Sequence, residues 1–514
     1  MDEAEVFVSY INYVCITLLM TLSIEEMAIF CKKKGFMYRS SDIYGGLAGF
    51  WDFGPYGVEL FNRIKSSFWK YFVQNREDVV GIDASIISHP KTWEASGHLE
   101  SFGDLMLVCS KCKLKVRADH FIEEKLRLQA DGMIADEINH LIKEHNLKCP
   151  ECKSAFKEAN NFNLLFETKV GASHESHNVA YLRGETAQAM FMNFKLIADT
   201  CRMQLPFGIA QIGKCFRNEI SPRDFLFRSR EFHIGELEYF IHPDETKCLL
   251  LTDKQLTLEV QILDAKTQNS GKKDLKKVTI QTMIEKKMLD EWHGYFLAEQ
   301  FLWLTSLGIN SEKLKIREHV KTELSHYSSA TFDIDYEFPF GSKEIAGNAN
   351  RGQYDLNQHM KHSKEKLDFF DEATKQKVIP RVIEPTFGVE RIFLAVLFDA
   401  YYDDKERGNI LLKLHPKLAP VQVGIFPLVN KLNEKSREVF DLLKTDFVCI
   451  YDKSGSIGRR YARADELGIP VNITIDFETL EDASVTIRDR NTTKQKRIKL
   501  VDLHNELKNA LFSN

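Results

Sequence analysis

The chain has no excess of basic charge: 69 Lys and Arg stand against 74 Asp and Glu, a net charge of −5. No whole-molecule field therefore recruits nucleic acid. An RNA partner would have to meet local patches such as residues 113–117, 459–463 and 494–499. Cysteine is too sparse for a small disulfide scaffold, at ten in 514 residues. Six of them (Cys15, Cys31, Cys201, Cys215, Cys248 and Cys449) are scattered in the manner of buried, reduced thiols, which implies a reducing, cytoplasmic setting. Long apolar runs are missing except at residues 6–22, and that run is shorter than the ~20 residues of a membrane helix. Asp2, Glu3 and Glu5 precede it, where a signal peptide carries basic residues. Residues 1–25 therefore read as a disordered extension, or as translation from a start upstream of Met20 or Met27, with a membrane anchor as the alternative. The glycine-rich stretch 44–55 lacks the spacing of a phosphate loop and reads as a place where backbone and aromatics pack closely. What remains is ordinary for a soluble protein, 44% hydrophobic and 28% charged, with room for about three domains at the usual ~150 residues each.

The most informative stretch is residues 210–240. Residues 210–217 and 231–241 read as two strands, with turn chemistry at Ser221-Pro222-Arg223-Asp224 between them. Alternation puts Phe232, Ile234, Glu236 and Glu238 on one face, an odd choice for a core. Arg217, Arg223, Arg228 and Arg230 surround it, and guanidinium forks bind phosphate in pairs, so a triphosphate with its base stacked on the ring would fit. A solvated surface hairpin would explain the same residues.

Other stretches add chemistry. Cys109-Ser-Lys-Cys112 and Cys149-Pro-Glu-Cys152 are two knuckles whose four thiolates suit a closed tetrahedral zinc site, with redox-active pairs as the alternative. Between them, residues 122–128 and 134–144 read as helical. Thr186 precedes an amphipathic helix at 190–200 and reads as its cap, with Glu185 supporting the dipole. Glu344 is a candidate hard oxygen ligand for Mg²⁺ on nucleotide phosphates. In residues 382–391, Glu384 and Thr386 share a face of an extended segment, and Pro385 argues against a fully paired central strand. Gly388 then turns into a helix over 389–401 with Arg391 in its first turn, an anion-binding design. Residues 243–309 read as charged and mainly helical, with an exposed loop at 271–277. Residues 415–420 mark a boundary, after which strands and helices alternate as an α/β unit.

Phe216-Arg217-Asn218-Glu219 with Arg230-Glu231-Phe232 resembles motif 2 of the class II aminoacyl-tRNA synthetases, and residues 382–391 resemble motif 3. From about Tyr38 to about Leu500 the wording is similar to the glycyl-tRNA synthetases of the homodimeric type. The resemblance implies an α+β fold: a class II catalytic domain over 26–415 with a mixed or antiparallel sheet flanked by helices, and an anticodon-binding domain over 418–514. The knuckles become an insertion at 109–155, and 243–325 a mainly helical one. The helix at 58–73 and the β-like segment 78–87 resemble motif 1, which builds the dimer.

The resemblance also implies site residues. For ATP they are Arg217, Asn218, Glu219, Phe227, Arg228, Ser229, Arg230, Glu231 and Phe232, then Glu344, Ile345, Gly388, Val389, Glu390 and Arg391. For glycine they are Arg117, Glu185, Phe232, Glu236, Glu384, Thr386 and Gly388. Arg217 and Arg391 carry the catalytic charge, and Arg459, Arg460, Arg463, Arg488 and Arg490 are the expected tRNA contacts. ATP, Mg²⁺, structural Zn²⁺, glycine, tRNA(Gly) and a second copy of the chain are the implied cofactors and partners, with no membrane. Four positions depart from the family: Gly184 where Pro is usual, Ala189 for Gly, Thr386 for Ser, and Gly341-Ser342-Lys343 for Trp-Gly. Two other readings stay open, a class II synthetase for another small amino acid and a non-catalytic tRNA- or DNA-binding accessory protein.

Overall fold

A computed structural model describes residues 22–512 other than 129, 131–132, 172–177 and 373. The N-terminal apolar run, Leu22 excepted, lies outside the described residues. The central sheet has nine strands: Val79–Gly81 (β1), Phe207–Phe216 (β2), Glu231–Ile241 (β3), Glu259–Leu263 (β4), Lys276–Thr279 (β5), Leu314–Glu318 (β6), Ala330–Phe338 (β7), Gly341–Gly352 (β8) and Arg381–Gly388 (β9). Their spatial order is β5-β4-β6-β7-β8-β9-β3-β2-β1. β1 is parallel to β2 and β4 to β6, while the remaining neighbours are antiparallel.

The two faces of this sheet have different chemistry, and the register explains how. Opposite partners in an antiparallel pair share a face. Glu236 pairs with Gln211 on one side and Thr386 on the other, Thr386 with Gly347, and Gly347 with Asp333. That row is polar across four strand boundaries. The intervening residues, Leu237, Tyr239, Phe387 and Ala346, point the other way into the main core. Three helices cover the apolar face: Pro55–Trp69 (α1), Glu291–Ser306 (α2) and Val389–Ala400 (α3). Phe68 and Trp303 close edge-on against Phe387 at 5.3 and 5.1 Å between centroids.

One expectation changes. Residues 243–325 were to be mainly helical, yet they supply β4, β5 and β6 to the sheet, and α2 is buried nearly all round against it. A helix apolar on every side belongs inside, which its lack of polar periodicity already encoded. Residues 276–277 of the expected loop belong to β5, and both side chains are exposed. The reading of Pro385 as arguing against a fully paired central strand agrees with the ladder. β9 is central, flanked by β8 and β3, but its ladder with β3 runs Ile234–Glu236 against Thr386–Gly388 and resumes only at Tyr239 opposite Ile383. A residue without an N–H leaves the gap exactly where Glu384 and Pro385 face Leu237 and Glu238.

The C-terminal unit is a five-stranded sheet in the order Cys449–Tyr451, Val423–Pro427, Val471–Ile475, Ser484–Asp489, Gln495–Lys499. The last strand and the closing helix Leu500–Phe512 lie beyond what the sequence reading placed. Among the described residues no helix is long and apolar enough to cross a membrane.

Candidate active site

The loop between β2 and β3 folds back over the polar face. Its base is fixed by Arg230, whose guanidinium donates to the Glu219 carbonyl at 3.0 and 2.8 Å and to the Ala48 carbonyl at 3.0 Å. The glycine-rich stretch meets it there. Gly49 has φ +78°, a Cβ on it would come within 2.9 Å of Pro222, and its carbonyl accepts from the Arg230 N–H. Arg230 is therefore a clamp of the loop, turned from the ligand role the sequence implied.

Arg217, Glu219, Phe227, Arg228, Phe232, Glu344, Thr386, Gly388 and Arg391 line one cleft. The arginines differ in how they are held. Arg228 donates to Glu219 at 2.6 Å and to Asp104 at 3.3 Å. Arg391 lies 4.5 Å from the Phe227 ring centre and donates to Glu344 at 3.0 Å. Burial pushes the Glu344 carboxyl up, but Arg391 outweighs it and holds it below the usual range. Arg217 stacks on Phe102 and Phe232 at 5.1 and 5.4 Å, and its Nε donates to the Gly184 carbonyl at 3.2 Å. Among the described residues it has no carboxylate partner. A guanidinium held flat between rings without a counter-ion is arranged for an incoming anion.

Several implied ATP contacts face elsewhere. Ile345 and Val389 are buried in the apolar core, leaving only their backbone for a ligand. Glu231 points away from Phe232 and pairs with Lys214 at 2.5 Å. Ser229, though largely buried, lines the cleft with its hydroxyl 3.4 Å from the Leu226 carbonyl, and the Asn218 N–H donates to the Leu164 carbonyl at 2.7 Å. Glu390 also lines the cleft, where it accepts from the backbone N–H of His233 at 2.7 Å and lies 2.8 Å from its ring, tying α3 to β3. Arg117 sits in a network with Asp104 at 3.1 Å and Asp119 at 2.6 Å, and Asp104 links it to Arg228.

Farther along the polar face is a buried carboxylate cluster: Glu185, Glu236, Glu238 and Glu384, joined by Asp355 from helix Tyr354–Ser363 (α4). Its centre is Arg351, 1% exposed. Arg351 donates to Glu384 at 2.7 Å and to both oxygens of Asp355 at 2.8 Å, lies 3.8 Å from Glu185, and stacks 3.9 Å from the Tyr327 ring. Glu185 accepts from Gln188 at 2.8 Å and faces His98 at 3.3 Å. Despite its burial, His98 and Arg351 hold its carboxyl below the usual range. Thr186 was expected as a helix cap, but both its N–H (2.7 Å) and its hydroxyl go to Glu236, and its side chain makes no cap bond. Burial raises the Glu236 carboxyl, with Glu185 adding to it, and pushes Glu384 up to about 8.

The sequence reading left Arg351 without a role and did not reach His98, Gln188 or Asp355. The spacing Arg351-x-x-x-Asp355, an i,i+4 pair at a strand–helix junction, was the available signal.

Residues 422–510 match the anticodon binding domain family. Over 493 residues the chain is 44% identical to a glycine–tRNA ligase of Geobacillus thermodenitrificans, spanning 94% of this chain and 97% of that one. Similar relatives are the glycine–tRNA ligases of Ruminiclostridium cellulolyticum (43% identity, 94% and 97% covered) and Caldanaerobacter subterraneus subsp. tengcongensis (42%, 95% and 99%). The chain belongs to the glycine–tRNA ligase family.

Two features outside the cleft bear on this family's partners. The Sγ atoms of Cys109, Cys112, Cys149 and Cys152 all lie within 4.8 Å of one another. Each knuckle is a turn closed by a backbone bond, Cys109 N–H to Leu114 at 2.8 Å and Cys149 N–H to Ser154 at 2.9 Å, with Lys113 and Lys153 at φ 63° and 60°. Thiolates around one tetrahedral zinc stand about 3.8 Å apart, so the four residues fit a single ion. The C-terminal arginines, by contrast, divide. Arg460, Arg488 and Arg490 are buried. Arg488 forks onto Asp465 at 2.8 and 2.9 Å, Arg490 donates to the Gly468 and Leu414 carbonyls at 2.7 Å each, and Arg460 donates to the Pro427 and Gly455 carbonyls. Three of the five expected RNA contacts thus serve the domain's interior. Arg463 is half-buried against Asp452, and Arg459 is exposed.

Proposed function

We propose that the chain activates glycine with ATP and transfers it to the 3′ end of tRNA(Gly), with the cleft and the carboxylate cluster as its two half-sites. The carrying observation is the near-full-length identity to glycine–tRNA ligases, together with an uncompensated arginine in a cleft that adjoins a buried acidic pocket. Glycine's carboxylate attacks the α-phosphorus in line, pyrophosphate leaves, and the terminal tRNA hydroxyl then attacks the adenylate. Positioning and charge stabilisation carry the rate, so no covalent nucleophile is needed. Arg217 takes the α-phosphate, Arg228 and Arg391 the terminal phosphates, and Phe232 the adenine. Mg²⁺, with Glu344 as a ligand, would neutralise charge on the phosphates. Glu185, Glu236 and Glu384 surround the ammonium, and Thr386 closes the pocket around Cα. A rigid site this small rejects larger amino acids by clash, so no editing domain is required.

Pyrophosphate exchange into ATP tests this directly. Glycine should stimulate exchange by well over a hundredfold more than alanine or serine does. Stimulation by alanine or serine instead would favour a ligase for another small amino acid, and no exchange at all would favour an accessory protein.

The four thiolates hold zinc in this reading. One zinc per chain should be found by atomic emission. Cys149→Ser should release it and raise amide exchange across residues 105–160, because the ion's binding energy is folding energy for so small a unit.

In the anticodon-binding domain, spanning 418–514, only Arg459 and Arg463 remain as RNA contacts. Arg459→Glu should weaken tRNA binding several-fold at low salt without lowering the melting temperature. Arg488→Ala should lower the melting temperature first. The catalytic domain spans 26–415, and the assembly is a cytoplasmic homodimer built on the α1–β1 element.

A further inference from the structure

The five carboxylates of the cluster are all at most 7% exposed, and one buried guanidinium, Arg351, stands among them. Five buried anions cannot be balanced by one guanidinium, even with His98 beside Glu185, so some of these acids must be neutral. Donor counts rank them. Asp355 accepts three bonds, two from Arg351 and one from Gln188 at 3.0 Å. Glu236 accepts two from Thr186, and Glu185 accepts from Gln188 with His98 beside it. Glu384 accepts one, and among the described residues Glu238 accepts none, with both oxygens buried.

Glu238 lies where the β3–β9 ladder lapses beside Pro385, so no backbone donor from β9 reaches it. Glu384 shares its face of β9 with Thr386, which lines the cleft.

We infer that glycine enters by proton exchange: Glu384 carries a proton in the empty protein and releases it to solvent as the substrate ammonium arrives, while Glu238 stays an uncharged acid behind it. This rests on the reading of Glu185, Glu236 and Glu384 as the ammonium pocket. The balance is simple. A carboxylic acid plus an ammonium gives a carboxylate–ammonium pair and one free proton, so the cluster gains a cation and an anion together. The charged and titratable groups that face Glu384 are Arg351 on β8, Asp355 on α4, Glu236 and Glu238 on β3, Glu185 before the helix Ala187–Cys201, and Tyr327 before β7. Burial raises Glu384 to about 8 and Glu238 well above the usual range, in keeping with the donor ranking. Such a device lets one acidic pocket stay near neutral when empty and still offer a full negative charge to its substrate.

Titration calorimetry of glycine into the full chain, saturated with α,β-methylene ATP, reads the exchange. The heat is measured in phosphate and in Tris, whose ionisation heats differ. Close to one proton should be released per glycine at pH 6.5–7, falling towards none above pH 8.5, and the apparent Kd should fall about tenfold from pH 6 to 7. Glu384→Gln should bind at least tenfold more weakly and release no proton over this range. Buffer-independent heats with normal binding would overturn proton exchange and leave the ammonium pocket standing. Undiminished release from Glu384→Gln would overturn the assignment to Glu384. Absence of glycine binding would sink both readings.

Discussion

Arg217→Ala should lower glycine-dependent pyrophosphate exchange by about a thousandfold, with the melting temperature almost unchanged. The size follows from removing one preorganised cationic donor at the reacting phosphorus, where single donors are worth about 10²–10³ and transition-state arginines up to about 10⁵. The separation from stability follows from how the side chain is held. Among the described residues the Arg217 side chain makes one hydrogen bond, to the Gly184 carbonyl at 3.2 Å, and lies over two rings. Its loss strands no buried carboxylate. Arg391 and Arg228 differ, because each is paired with an acid, and truncating either exposes Glu344 or Glu219 to a ligand that is itself anionic. Arg217→Lys separates charge from shape. An ammonium cannot stack and fork together, so a recovery of less than tenfold over alanine is expected. If Arg217→Ala exchanged pyrophosphate at the wild-type rate, the α-phosphate role given to this residue would be untenable.

How much of this was legible in the sequence depended on whether a property is local. The alternation of β3 is local, so the shared face of Phe232, Ile234, Glu236 and Glu238 could be read from spacing alone, and so could the two Cys-x-x-Cys knuckles. Burial of an arginine is not local. Arg488 and Arg459 look alike in the sequence, but Asp465 reaches the first from another element while the second stands exposed. The same limit hid Arg351, whose partners Glu185, Glu384 and Asp355 come from three separate segments. The polar partners inside helix α2 are not local either. Its sequence mixes Glu299 and Gln300 into an apolar run, and these suggest a surface until their partners are seen: Gln255 for the first, the Gly347 carbonyl for the second. A buried polar residue reads as an exposed one until its hydrogen bond is known.

Arg351→Ala should be the most destabilising single change in the catalytic unit. Removing one partner of a buried ion pair costs roughly 3–5 kcal/mol, because the charges left behind have neither water nor a counter-ion. Here Asp355 and Glu185 are left as charges, on a helix and a loop, and Glu384 on its strand loses its hydrogen-bond donor. The transition assigned to the catalytic unit in a thermal scan should fall by roughly ten degrees. The loss should depend on pH with a definite sign. Glu384 holds its proton to about 8 even with Arg351 present, so the difference from wild type below that pH comes from Glu185, whose buried carboxyl His98 and Arg351 together hold below the usual range and which rises when Arg351 is lost. Between the unfolded carboxylate value of ~4.3 and that raised value, the folded state binds more protons than the unfolded one, so stability falls as pH rises. The variant should therefore melt closest to wild type near pH 5 and progressively lower towards pH 8. Arg351→Lys should recover part of the melting temperature, since one cation returns, but little glycine activation, since an ammonium cannot hold Glu384 and both oxygens of Asp355 in one plane. A deficit that shrank as pH rose from 5 to 8 would mean that these carboxylates are ionised without Arg351, and that the guanidinium does not govern their charge.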